Sequence, residues 1–397
     1  MLNGRYAAGV FRSDGTLVGV ASASYPTAFP KPGWAEQNPS DWWRCLGEAV
    51  RGAVSASAAV EGEGADSAAE ESIRERVQAL CVDTTCCTVV ALDQAGEALR
   101  TCLLWMDSRS APQAEKIMKV CAGMPALAVN CNGQGPLSAE WMLPKALWLK
   151  EEDTEVWNQA AHICEYQDYI NMKLTGRLCA SSCNTAARWH CDGAACIRSR
   201  KEGRPLDLLE ALGMQDLADK WPQECLPMGQ AVGGLTAEAA AHLGLPTGLR
   251  VTQGGPDAFV GMLGLGATSP GQLALITGSS HLHLVCSATP ATAAGVWGAY
   301  KGAPLPGLCF AEGGQSSTGS ILRWARGVFG GEMSYKELDA EAEAVSAGCE
   351  GLLAVETFQG SRTPVTDPLQ RGALVIIINV DVYICACIYI YICVCVF

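Results

Sequence analysis

Two apolar runs, residues 7–11 and 16–22, flank the turn Ser13-Asp14-Gly15 and predict a hairpin over residues 6–29. A hairpin alone is marginal in water. A sheet is therefore expected around it, and the chain is expected to begin in mid-sheet. Residues 33–39 read as a loop, and Ser40 or Asp41 can cap a helix running through 42–54. Residues 61–70 are small, acidic and glycine-rich, and read as a solvated loop or helix entry. The apolar runs 77–81, 89–92 and 103–106 predict buried strands, and 110–121 and 140–150 predict helices. Residues 193–250 mix helices and turns.

From Leu249 the pattern changes. A short strand at 250–252 leads into Gly254-Gly255-Pro256-Asp257 and a glycine-rich apolar helix. Strand 273–277 then stops at Gly278-Ser279-Ser280, and 282–285 resumes it. After Glu312 to Gly319 a helix is expected with Ile321, Leu322 and Ala325 on one face. Strands alternating with helices imply an α/β architecture. The boundary falls near residue 250, giving segments 1–250 and 251–372. Residues 373–397 stand apart: Asn379 and Asp381 are their only strongly polar positions, and the end is low-complexity Ile, Tyr, Cys and Val. The length would span a bilayer. However, the run is β-branched, has a mid-run Asp and lacks basic flanks. It is read as an aberrant apolar tail rather than an anchor.

Composition narrows the function class. A net charge of −13 with no basic stripe argues against nucleic acid as partner. Cysteine is abundant at 20 residues, yet no Cys-x-x-Cys pair occurs and no signal peptide opens the chain. Most cysteines are therefore read as reduced, buried small hydrophobes in a cytoplasmic protein. No Gly-x-x-x-x-Gly-Lys-Ser/Thr loop exists, so phosphate handling would use other turns.

The candidate chemistry is spread along the chain. Asp257 follows two glycines at a strand end and opens a helix, where it could act as an ionised base or simply cap the helix. Gly278-Ser279-Ser280 could offer N–H groups and hydroxyls to phosphate oxygens, or be an ordinary hairpin turn. Glu312-Gly313-Gly314-Gln315 fits a loop or a ligand site. Lys145 could reach a substrate hydroxyl or snorkel. Asp107 and Arg109 could grip sugar hydroxyls or form a structural ion pair. Cys86, between two apolar strands, suits a pocket wall. A vicinal Cys86–Cys87 disulfide and a His281/His283 metal pair are set aside, the second for want of a third ligand.

Taken in order, these segments resemble the FGGY family of carbohydrate kinases over residues 6–372. The carriers are Gly33-Trp34-Ala35-Glu36-Gln37-Asn38-Pro39, Leu104-Trp105-Met106-Asp107-Ser108-Arg109 and Pro144-Lys145-Ala146-Leu147-Trp148-Leu149. They continue with Tyr166-Gln167-Asp168-Tyr169-Ile170, Gly254 to Asp257, Thr277 to Ser280, Glu312 to Ser316 and Gly360-Ser361-Arg362-Thr363-Pro364. Val82-Asp83-Thr84-Thr85-Cys86-Cys87-Thr88, and Ser138-Ala139-Glu140-Trp141 with Lys145, are similar to the ribulokinase version.

The resemblance implies an α/β fold of two actin-like ATPase (ribonuclease H-like) domains with a cleft between them, the second domain incomplete. It implies phosphorylation of a terminal hydroxyl of a ketopentose such as ribulose by ATP with Mg2+. Asp257 would be the general base. Cys86, Asp107, Arg109, Lys145 and Glu312 would contact sugar, and Gly278, Ser279 and Ser280 would hold phosphate. A homodimer stays open, and a membrane partner is expected only if the tail is real. The family's first phosphate hairpin, Asp-x-Gly-Thr, would fall just before Arg5, and Met1 to Gly4 does not supply it. Family members also continue past Gly372 with an adenosine site. The alternatives are therefore a non-catalytic sugar-binding remnant, or a kinase for another ketose or polyol. Marginal stability is expected for 251–372 in isolation.

Overall fold

The computed structural model describes residues 4–60, 67–131, 137–192, 195–196, 202–293, 295–367 and 369–376. Strands Gly4–Phe11 and Leu17–Tyr25 pair antiparallel, as the two apolar runs predict. Among the described residues this hairpin pairs with no third strand. It lies instead on helix Pro39–Val60, and the contact is close: a Cβ on Gly19 would meet Ser57, and one on Gly52 would meet Ala21. Tyr6, Tyr25, Trp42, Tyr166 and Tyr169 join this interface to helix Tyr166–Thr175, with Trp42 stacked on Tyr166 at 3.7 Å between ring centroids.

Of the three further sheets in the first half, two position the site. Val89–Leu92, buried at every position as its unbroken apolar run requires, lies between Cys102–Leu103 and His162–Glu165. Ala79–Cys81 pairs in parallel with Arg250–Thr252, so two strands distant in sequence end side by side. That pairing extends past the strands, as Thr84 and Pro256 form a parallel bridge.

The second half centres on an antiparallel sheet in the order Leu273–Thr277, His281–Ser287, Cys309–Gln315, Trp297–Lys301. Its inner face and helix Asp257–Gly264 bury Phe259, Met262, Leu284, Tyr300 and Phe310. These residues belong to one apolar core with Trp141, Leu143, Leu147 and Trp189 of the first half. The two halves are thus packed together, and the cavity described below lies where they meet.

Helix Gly319–Phe329 departs from the expected face: Ala325 is buried and Ile321 half-buried, whereas Leu322 is exposed together with Trp324, Val328 and Phe329. Residues Ala373–Ile376, the start of the apolar tail, form a strand against Leu352–Val355. Residues 377–397 lie outside the described residues. Among those described, no helix is long and apolar enough to cross a membrane.

Candidate active site

The helix Tyr166–Thr175 explains how the ends of two parallel strands are held. It begins with a capping box in which Asp168 accepts from the Glu165 N–H at 3.0 Å. Its buried face is polar. Gln167 donates to the Val82 carbonyl at 2.8 Å, and Asn171 donates to the Gln253 side chain. Buried amides need partners, and here they find them on the strand ends. A Cβ at position 254 would sit 1.9 Å from the Val82 carbonyl oxygen, so only glycine admits this approach. The two segments then lock: the Thr84 N–H donates to Gly255 O at 3.2 Å and the Asp257 N–H to Thr84 O at 2.9 Å.

Asp257 is thereby placed at the first turn of helix Asp257–Gly264, facing a cavity of about 300 Å³. Thr85, Cys86, Cys87, Trp105 and Glu140 line it from the first half, and Gly278, Ser279, Ser280, Trp297, Glu312 and Arg362 from the second. The volume suits a small ligand. The Asp257 carboxylate is open to cavity water, yet dense protein surrounds it on its other sides. Desolvation raises its pKa to about 6, opposed by the Ala258 N–H that donates to it at 2.8 Å and reinforced by the charge of Asp83. A ligand that displaces the cavity water brings that rise fully into play. The expected helix-end stabilisation is therefore outweighed, though the group stays ionised at neutral pH.

Glu312 stands on strand Cys309–Gln315 and is almost fully buried. Its Oε1 accepts from the Tyr300 hydroxyl at 2.9 Å and pairs with Arg188 Nη2 at 2.5 Å, while its buried Oε2 has no partner. The Gly278-Ser279-Ser280 turn sits at the cavity lip. The N-terminus of helix Gly319–Phe329 holds it from behind, with Thr318 N–H donating to Ser279 O at 2.8 Å and Gly319 N–H to Gly278 O at 3.2 Å.

Three expected sugar contacts do not line the cavity. Lys145 is fully buried, and its amine donates to Cys87 O at 2.8 Å, Trp105 O at 3.3 Å and Leu104 O. It ties two cavity-lining turns together from behind, which neither reading of its sequence context anticipates. Burial lowers its pKa, opposed by the charges of neighbouring groups. Asp107 and Arg109 form the structural ion pair. Arg109 Nε donates to both Asp107 oxygens at 2.9 and 3.0 Å, and its Nη2 meets Asp107 Oδ2 and Glu36, each at 2.7 Å. Its guanidinium carbon stacks 3.6 Å from the Trp34 ring centroid.

Sequence reasoning passed over Arg188 and Trp297, and gave Glu140 and Trp105, though they stand in quoted motifs, no role at the site. Arg188 ends helix Ser182–Arg188, seven residues buried throughout, and a lone charge at the end of such a stretch was the available signal. Arg362 and Glu140 pair across the cavity, 222 residues apart, through Nε at 3.1 Å and Nη2 at 2.8 Å. No local pattern marks such a pair. Among the described residues no three metal-ligating side chains converge.

Two family profiles match this chain, with their division between residues 264 and 273. The profile for the FGGY family of carbohydrate kinases, N-terminal domain, matches residues 5–264, and that for its C-terminal domain matches 273–383. An FGGY carbohydrate kinase domain-containing protein of Danio rerio is 34% identical over 76% of this chain, and a ribulokinase of Shouchella clausii is 28% identical over 87%. The chain spans 63% and 62% of the lengths of those two relatives. The crystal structure of xylulose kinase from Rhodospirillum rubrum superposes with a TM-score of 0.70 at 26% identity, covering 95% of this chain and 72% of that one.

Proposed function

This chain belongs to the FGGY family of carbohydrate kinases, and from that premise we propose that it transfers the γ-phosphoryl group of ATP to a terminal hydroxyl of a ketopentose such as ribulose. The observation that carries this reading is the meeting, in one cavity, of Asp257, Glu312 and the Gly278-Ser279-Ser280 turn. The sugar hydroxyl gives its proton to the Asp257 carboxylate as its oxygen attacks the γ-phosphorus, and ADP leaves. A base with a pKa of about 6 is ionised at neutral pH and still takes up the proton as the hydroxyl becomes acidic in the transition state. Glu312 accepts a sugar hydroxyl through its unpartnered oxygen. The serine turn faces the phosphates with N–H groups and hydroxyls. Catalysis of this type rests on positioning and charge neutralisation. Magnesium, where the nucleotide's phosphates carry it, would supply charge neutralisation there, with those phosphates and water as its main ligands.

The test is ATP-dependent phosphorylation of D-ribulose, L-ribulose and D-xylulose by the whole chain, with Asp257→Asn as control. Turnover with one ketose is expected, and the substitution is expected to lower kcat by about 10²–10⁴-fold. Below pH 6 the rate should fall about tenfold per pH unit, because protonation of Asp257 removes the base. Ketose binding without turnover would favour a sugar-binding remnant instead. A rate unaffected by Asp257→Asn would remove the general base from this reading.

A further inference from the structure

Five charged side chains line the cavity: Glu140, Arg188, Asp257, Glu312 and Arg362. Both cations are already committed. Arg362 holds Glu140 by a two-pronged fork, and its guanidinium carbon lies 5.1 Å from the Trp105 ring centroid. Arg188 holds Glu312 Oε1, and its Nη1 donates to the Tyr300 hydroxyl at 2.8 Å and to the Ala187 carbonyl at 3.0 Å. The rings of Trp141, Trp297 and Tyr300 surround that guanidinium at 5.9, 5.7 and 5.6 Å, so it has no room to swing towards a ligand. Asp257 pairs with no cation among the described residues. Three carboxylates thus face a ligand with two neutralised guanidinium groups. What remains to bind it is acceptor capacity: Glu312 Oε2, buried and unpartnered, and the Asp257 oxygens.

We propose that this cavity selects uncharged polyhydroxylated ligands against sugar acids, because both arginines facing it are committed to carboxylates, and that Arg188 is the positioning residue that fixes Glu312 with one oxygen free for a ligand hydroxyl. A hydroxyl donates to that oxygen and satisfies it. A ligand carboxylate accepts only, so placed at Glu312 it would leave that oxygen unsatisfied, and elsewhere in the cavity it would add a like charge to a site whose cations are already paired. The inference rests on the carbohydrate reading above for the size and polarity of the ligand, and it makes no use of phosphoryl transfer.

The experiment is calorimetric titration of the whole chain, without nucleotide, with matched probes: D-ribulose against D-ribonate, and D-glucitol against D-gluconate. The neutral member of at least one pair should bind, with its acid at least about tenfold weaker. Glu312→Gln, which keeps the side chain's shape, should narrow or reverse that preference, because Arg188 then lacks its anion. A merely structural role for Arg188 predicts no gain in acid affinity. Arg188→Lys should raise KM more than it lowers kcat, since a lysine lacks the planar group that holds Glu312 Oε1 and the Tyr300 hydroxyl together. Equal affinity for acid and neutral probes in the unmodified chain overturns the inference without any variant. Binding of none of the four also overturns it. Selective neutral binding with no ATP-dependent turnover would uphold it while removing the kinase reading.

Discussion

The pairs Asp107–Arg109 and Glu312–Arg188 have the same chemistry in two parts of the molecule, and they serve different ends. Asp107 has both oxygens occupied: Oδ2 accepts from the Ala35 N–H at 2.6 Å, Oδ1 from the Arg109 N–H at 3.0 Å, and Arg109 Nε reaches both. The pair sits behind Trp34 and Trp148, away from the cavity. Glu312 has one oxygen occupied and one left over, on a residue that lines the cavity. A carboxylate whose acceptors are all used holds chain segments together. One with capacity to spare beside an opening can hold a ligand. The residue types do not separate these cases; the count of partners and the position of the cavity do.

The Asp107–Arg109 pair is the more sensitive of the two to loss of its carboxylate. Asp107→Ala would leave a buried guanidinium without its main partner, which typically costs about 3–5 kcal/mol. Urea denaturation should show that loss, whereas the folded fraction should bind ketose with unchanged affinity. A fall in affinity at unchanged stability would show that Asp107 belongs to the cavity after all.

How far sequence could anticipate this division depends on range. The hairpin, the Val89–Leu92 strand and the helix at Asp257 follow from local patterns of apolar runs and glycine, and the structure has them where those patterns lie. Asp257, Glu312 and the serine turn share the cavity, although each alone fits an ordinary turn or cap. The direction of Lys145 was not legible. Its apolar neighbours are compatible with a side chain reaching a ligand or lying along the surface, and the carbonyls it binds belong to turns about 40 and 58 residues away. Arg188 and the Glu140–Arg362 pair escaped for the same reason, since their partners come from the other half of the chain. Gln167 and Asn171 are a related case: polar residues on a helix face look solvent-directed until a strand end is found to need them.

A third carboxylate, Glu165, forms no ion pair with a guanidinium among the described residues. Glu165 is fully buried behind the cavity wall. Its Oε1 accepts from Trp189 Nε1 at 2.9 Å, with the Cys86 thiol at 3.9 Å, and its Oε2 has no partner. Burial pushes its pKa up to about 7, against the opposing Trp189 hydrogen bond, the nearby Asn184 amide and the charges of Lys145 and Arg188. The folded state therefore holds a proton that the unfolded state has released between about pH 4.5 and pH 7. The penalty is absent below that window, grows as pH rises through it, and is complete above it. It amounts to roughly 3 kcal/mol at most. Glu165→Gln keeps an oxygen for Trp189 and removes the charge, so it should stabilise the fold at pH 8 and be close to neutral at pH 4. Thermal or urea unfolding at both pH values checks this. Destabilisation at pH 8 would mean that the charge is compensated in the folded protein.

The finest contrast removes one hydroxyl from each pair. Tyr300 donates to Glu312 Oε1 at 2.9 Å, and Thr101 donates to Glu36, the carboxylate that shares Arg109, at 2.5 Å. Tyr300→Phe and Thr101→Val each delete one hydrogen bond to a carboxylate and keep most of the side chain's volume. Each should lower stability by about 1 kcal/mol. Only Tyr300→Phe should also weaken ketose affinity, by up to about fivefold with kcat retained, because Glu312 would then be held by Arg188 alone and its free oxygen would wander. The sealed carboxylate has no such second readout: Glu36 can shift on its remaining arginines without any ligand registering the change. Equal affinity in the two variants would mean that orientation of Glu312 comes from Arg188 and the strand, with the tyrosine hydroxyl serving the fold as the threonine's does.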